Sequence, residues 1–210
     1  MARFGLHKQV ANRVIEPFQH IAVIVTATDF ANWFTLRRHH AADPTVAALT
    51  DAMWQAYSAS TPRLLRPGQW HLPYIVDHDF DRAEVHTRLT MPEVMDDPDG
   101  LAKAALKTLL RCSAARCARV SYHNHDGSEP NVAKDLETYR KLDAHPLHGS
   151  PMEHQATPDV QHDYKPYGLQ WAAPHLHGNF DGGIQHRKLL PNERATSYDP
   201  REYDSMKEAA

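Results

Sequence analysis

The run Gln19 to Thr28, QHIAVIVTAT, is the stretch that most limits what this chain can become. It is apolar and β-branched for long enough to predict a buried strand, and a buried strand requires further strands beside it and helices over it. Helical signals surround it. Residues 5 to 16 set Leu6, Val10 and Val14 on one face before Pro17, and Asp29 stands as cap to a helix on which Phe30, Trp33 and Phe34 recur at three and four. Asp43 followed by Pro44 opens another helix, whose stripe Val46, Ala47, Leu49, Met53, Trp54 and Tyr57 reads as core. The Pro- and Asp-rich stretch from about 60 to 98 reads as a long excursion with one short strand near Leu72 to Val76. Leu101, Ala105 and Leu109 mark a helix over 99 to 112, Ala118 to Tyr122 a short strand, and Val132, Leu136, Tyr139 and Leu142 a helix after Pro130. The expected class is α+β, with helices packed on a mixed or antiparallel sheet.

A length of 210 residues suits one domain over 1 to 194 with a polar tail from 195 to 210. The longest apolar stretch, Ile21 to Val25, is far too short to span a bilayer, and no signal-like N-terminal segment occurs, so a cytoplasmic protein is expected. A net charge of -3 argues against the basic footprint that duplex nucleic acid requires, whereas a mononucleotide needs only a few local cations. Cys112 and Cys117 are badly spaced for a mutual disulfide and fit a reducing compartment. Sixteen histidines invite a metal reading through His123/His125 and His175/His177. The absence of H-E-x-x-H or paired C-x-x-C favours solvent-facing or backbone-bound rings instead.

Ionisable groups concentrate in His148-Gly149-Ser150-Pro151-Met152-Glu153-His154, a turn by its Gly and Pro. Asn32 and Arg37 flank the aromatic helix, and an Arg held against rigid aromatic packing suits a phosphate. Arg111, Arg116 and Arg119 together invite an anion. The glycines at 178, 182 and 183 do not fit G-x-G-x-x-G or a P-loop.

Four blocks together resemble the flavin-dependent thymidylate synthases. ARVSY at 118 to 122 and HGSPMEH at 148 to 154 are similar to that family's A-R-V-S-[YF] and H-x-[ST]-P-F-E-H segments. Asn32-Trp33-Phe34-Thr35-Leu36-Arg37 with Ala42-Asp43-Pro44 resembles its N-F-x-x-L-R helix pair, and Ala11 to Pro17 its A-R-x-x-L-P helix end. The order of the blocks is that of circularly permuted, virus-type members. The resemblance implies methylation of dUMP to dTMP with FAD as cofactor and NADPH and methylenetetrahydrofolate as cosubstrates. By the same resemblance, Asn32, Ser121, His148, Ser150 and Glu153 would contact flavin, Arg13 and Arg37 would hold the nucleotide phosphate, and Gln185 would reach the pyrimidine. The family's R-H-R signature, followed by a serine and an Asn-Glu or Asn-x-Ser segment, is read as missing, since Arg37-Arg38-His39-His40 and His186-Arg187-Lys188 lack the continuation. A homo-oligomer, or a hetero-oligomer with a chain carrying that signature, is therefore expected to complete the site. The alternatives are a pyrimidine nucleotide hydroxymethylase for modified viral DNA and a non-catalytic nucleotide- or flavin-binding partner subunit.

Overall fold

The computed structural model describes residues 10, 13–14, 16–144 and 147–194. Its α-helices are α1 Ala31–Arg37, α2 Pro44–Ala59, α3 Asp77–Thr90, α4 Pro98–Arg119 and α5 Val132–Leu142. Four strands of three residues follow: β1 Ala156–Pro158, β2 Gln161–Asp163, β3 Leu169–Trp171 and β4 Gly183–Gln185. They form two antiparallel pairs, β1 with β4, where Thr157 faces Ile184, and β2 with β3, where His162 faces Gln170. The class is α+β, but the expectation of helices laid on one sheet is corrected, because the helices pack on one another and the strands are short ribbons beside them.

The spine is α4, 22 residues and thus about 33 Å long. Pro98 sits in its first turn, and Val120, in the left-handed region at φ 50°, ends it while its N–H bonds to the Cys117 carbonyl at 3.1 Å. Every residue from Cys112 to Cys117 is buried, since Ser113, Ala114 and Ala115 are small enough for α3, α5 and the turn Ser150–Glu153 to close on three sides. Ala118 and Arg119 therefore complete a helix, where a strand was expected. Met152, with no exposed surface, packs on Ala114, Ala115 and Tyr139, ringed by Leu142, Leu147 and Leu190.

Arg116 is only 1% exposed, yet it is charged, so its neighbours must answer it. Its Nη1 and Nη2 donate to Asp79 at 2.6 and 3.0 Å, its Nε donates to Asp135 at 2.9 Å, and Nη1 also reaches the Tyr74 carbonyl at 2.8 Å. Arg119 adds a bond to Asp135 at 2.8 Å. For Arg116 and Arg119, two of the three clustered arginines, the expected anion is thus internal. Burial opposes ionisation of Asp79, but hydrogen bonds from Arg116 hold its carboxyl below the ordinary range. Asp79 belongs to α3, a helix placed where a loop was expected. Its inward residues, Asp79, Ala83 and Thr87, are polar or small, so no apolar stripe announces it.

Residues 19–28 run extended, with Ile21 80% and Val23 68% exposed, and form no strand among the described residues. The expectation of a buried strand is corrected: side chains bridge the segment to the body, Thr26 Oγ1 meeting His154 Nδ1 at 3.1 Å and Thr28 Oγ1 accepting from the Asp181 N–H at 3.2 Å. In the α1–α2 hairpin that follows, the cap of α1 is Phe30, with no side-chain cap bond, one residue after the expected Asp29, whereas α2 begins at its expected cap Asp43. Asp29 accepts from the Ala31 N–H at 2.7 Å, and Asp43 from Thr45 and Val46 at 2.9 and 3.1 Å. Phe34 is buried against Trp54 and Tyr57, with ring centroids at 5.0 and 5.4 Å. Leu49, Trp54 and Tyr57, expected in a core, are exposed on this arm. The helix expected over 5 to 16 lies largely outside the described residues.

Candidate functional site

Met152 pins the turn 148–154 into the core, so its polar residues are displayed from a rigid base. Gln155 continues the anchor from full burial, its Nε2 donating to the Ser113 hydroxyl and the Pro151 carbonyl, each at 3.1 Å. The chain then enters β1, whose partner β4 leads straight into the 3-10 turn His186–Leu189. Two stretches far apart in sequence, 148–155 and 185–193, are thereby set side by side.

The turn displays its residues on two sides. His148 and Ser150 line a depression of about 380 Å³ with His154, Cys117, Val120 and the extended residues Ala22 to Ile24. Glu153 and Gln185 line a second cleft of about 460 Å³ together with Asn179, Arg187, Lys188 and Glu193. In that cleft Arg187 binds the Glu153 carboxylate through Nη1 and donates to the Glu193 carbonyl through Nε and Nη2, at 3.2 and 2.9 Å. Lys188 meets the Glu193 carboxylate at 2.8 Å. Gly149 lets Arg187 lie close to the turn, since a Cβ there would stand 2.7 Å from Arg187 Nε and push the guanidinium aside. Gln185 Nε2 donates to the Glu153 carbonyl at 3.2 Å and to Asn179 Oδ1, so its amide plane is fixed.

The structure therefore gathers His148 with Ser150, and Glu153 with Gln185. Ser121 lies just beyond the end of α4, its N–H bonded to the Arg116 carbonyl at 3.2 Å, and it lines neither cleft. Asn32 and Arg37 stand exposed on α1, Arg37 with its guanidinium 5.8 Å from the Trp33 ring centroid. Arg13 is exposed as well. None of these three joins the others within one chain. Arg187, Lys188 and Asn179 are cleft residues that the sequence reading passed over. The charged run 186 to 188 was the available signal, and an Asn-Glu pair does follow it, at Asn192-Glu193. Glu193 folds back onto Arg187, whose Nε and Nη2 donate to its carbonyl, although the serine of the family's signature does not stand between them.

Among the described residues, no three His, Cys, Asp or Glu side chains gather as a metal site, and no helix is long and apolar enough to cross a membrane. His177 pairs instead with Asp159 at 2.8 Å. Both thiols are buried, and burial pushes Cys112 and Cys117 up to about 12, so neither is a nucleophile at neutral pH. Burial lowers the His154 imidazole, which remains a neutral partner for Thr26. No family model, curated protein or solved structure matches this chain.

Proposed function

We propose that this chain is a subunit of the flavin-dependent thymidylate synthase type, converting dUMP to dTMP with FAD, NADPH and methylenetetrahydrofolate at a site completed by a second copy of itself. One observation carries the reading. A single core-anchored turn presents His148 and Ser150 to one depression and Glu153, beside Gln185, to another, which is the arrangement expected of a wall between a cofactor and its substrate. Asn32 and Arg37 face outward on an aromatic arm, where a neighbouring copy's cleft would receive them.

Flavin, when bound, supplies the hydride and relays the one-carbon unit. The chain's own residues bind and orient. Arg37 offers a planar fork to the nucleotide phosphate, and Gln185, whose Nε2 is committed to Glu153 and Asn179, offers Oε1 to the pyrimidine N3–H. Neither depression alone encloses a flavin dinucleotide, which supports a shared site.

Complementation tests the proposal. Arg37→Met and Glu153→Gln proteins should each lose dUMP-dependent turnover, and mixing them should restore part of it, because some mixed sites carry neither change. A colourless protein that takes up no flavin, alone or mixed, would sink the reading. The Glu153 carboxylate, already held by Arg187, favours as second reading a subunit that binds nucleotide without turnover. Calorimetric dUMP binding with no product under any mixing would select it.

A further inference from the structure

The 3-10 turn that sends Arg187 and Lys188 toward the Glu153 cleft sends His186 the other way. His186 is 7% exposed and lines a separate cavity of about 540 Å³ between α4, α5 and residues 189–192. Lys107 and Arg111, one helical turn apart on α4, enter it from one wall, and Tyr139 and Asp143 from α5 and its end. The Arg111 guanidinium stands 5.6 Å from the Tyr139 ring centroid, and that ring stacks toward His186 at 6.5 Å.

Arg111 differs from its helix neighbours Arg116 and Arg119. Those two are neutralised by Asp79 and Asp135, whereas among the described residues no carboxylate pairs with Arg111 or Lys107. The wall is also incompletely hydrogen-bonded: His186 Nδ1 is buried without a partner among the described residues. Two cations and a phenol around a cavity of ligand size, with the His186 ring buried in its wall, suit an anion larger than a halide. Asp143 on the same wall would repel a bare polyanion but accept from a hydroxyl beside the anionic group.

We infer that this cavity binds a phosphomonoester bearing a neighbouring hydroxyl, with Lys107 and Arg111 on the phosphate, Tyr139 and His186 beside them, and Asp143 on the hydroxyl. The inference does not rest on the thymidylate reading, since it concerns different residues and a different cavity.

The test is a titration of the whole protein, histidine rings labelled with carbon-13, with glycerol 3-phosphate. Inorganic phosphate, glycerol and sodium chloride at matched ionic strength serve as controls, and the His186 signal is identified by its loss in His186→Gln. The expected result is a saturable His186 shift with glycerol 3-phosphate, weaker binding of inorganic phosphate and no saturation with chloride or glycerol. Removing a charge-assisted bond in Arg111→Met should weaken the dissociation constant about tenfold or more, and Lys107→Met severalfold. A linear, unsaturated shift overturns the inference, as does an unchanged dissociation constant in Arg111→Met. Should Arg111→Met not fold, the exposed Lys107→Met decides, and an unchanged constant there also overturns it. No flavin or pyrimidine is present, so the outcome is independent of the proposed turnover.

Discussion

The α1–α2 arm and the α3–α4–α5 body invert the usual relation between composition and burial. The arm carries Phe30, Trp33, Phe34, Trp54 and Tyr57 and leaves much of this aromatic surface exposed. The body buries Asp79, Arg116 and Asp135 at its centre. At the centre of the body, Leu109, Ala114, Ala115, Tyr139 and Met152 are withheld from water by one chain folding on itself, although α3 leaves Phe80, Val85 and Leu89 exposed. In the arm the same chemistry is left for association, a patch of the kind that marks an interaction surface. The contrast separates residues that hold the body together from residues available to a second copy in the proposed shared site.

Replacing Arg116 should break the body outright. Arg116→Met leaves Asp79 buried without its hydrogen-bonded cation and Asp135 with Arg119 alone, and urea unfolding should show a loss of about 3–5 kcal/mol. Met152→Ala opens a cavity under the 148–154 turn, with an expected loss of about 2–4 kcal/mol and, in parallel, weaker ligand binding at both depressions. The third prediction concerns pH. Burial, with a smaller contribution from Arg111, lowers the His186 imidazole from 6.5 to about 4, so the native state resists a proton that the unfolded chain accepts. Its contribution is complete above pH 6.5 and is lost as pH falls toward 4, a change of roughly 3 kcal/mol at about 1.4 kcal/mol per unit. His186→Gln should flatten the urea-midpoint profile in that window, and an unaltered slope would contradict it. The smallest stability effect belongs to the arm. Phe34→Ala, whose ring packs on Trp54 and Tyr57 of the arm, should change the body's unfolding free energy by no more than about 0.5 kcal/mol while lowering the sedimentation mass of the proposed oligomer. A loss as large as that of Met152→Ala would erase the distinction between the regions.

Much of the arm was legible, because caps are local. Asp43 before Pro44 begins α2 where expected, as does Asn131 one residue past Pro130, its Oδ1 accepting from the Ala133 N–H at 2.9 Å. The body was harder, for three physical reasons. The inner face of α3 is Asp79, Ala83 and Thr87, which gives no apolar period. The end of α4 has the β-branched Val120 in a conformation usually left to Gly, so ARVSY reads as a strand although its first two residues are helical. Residues 19–28 have the composition of a buried strand, but no strand among the described residues lies beside them. For the site, the turn 148–154 was legible from its own residues, whereas Arg187 was hidden until the β1–β4 pairing set it against Glu153.

The Arg116 guanidinium has a further consequence for how the body forms. Four of its five N–H donors are answered by α3, α5 and the Tyr74 carbonyl, segments that reach it from both directions along the chain. A state with any of these contributors undocked strands a charge in a half-dry interior, so partially assembled forms are disfavoured at every step. The network thereby acts as a coincidence detector for assembly. It makes the three helices arrive together or not at all, and it gives the body a single sharp transition.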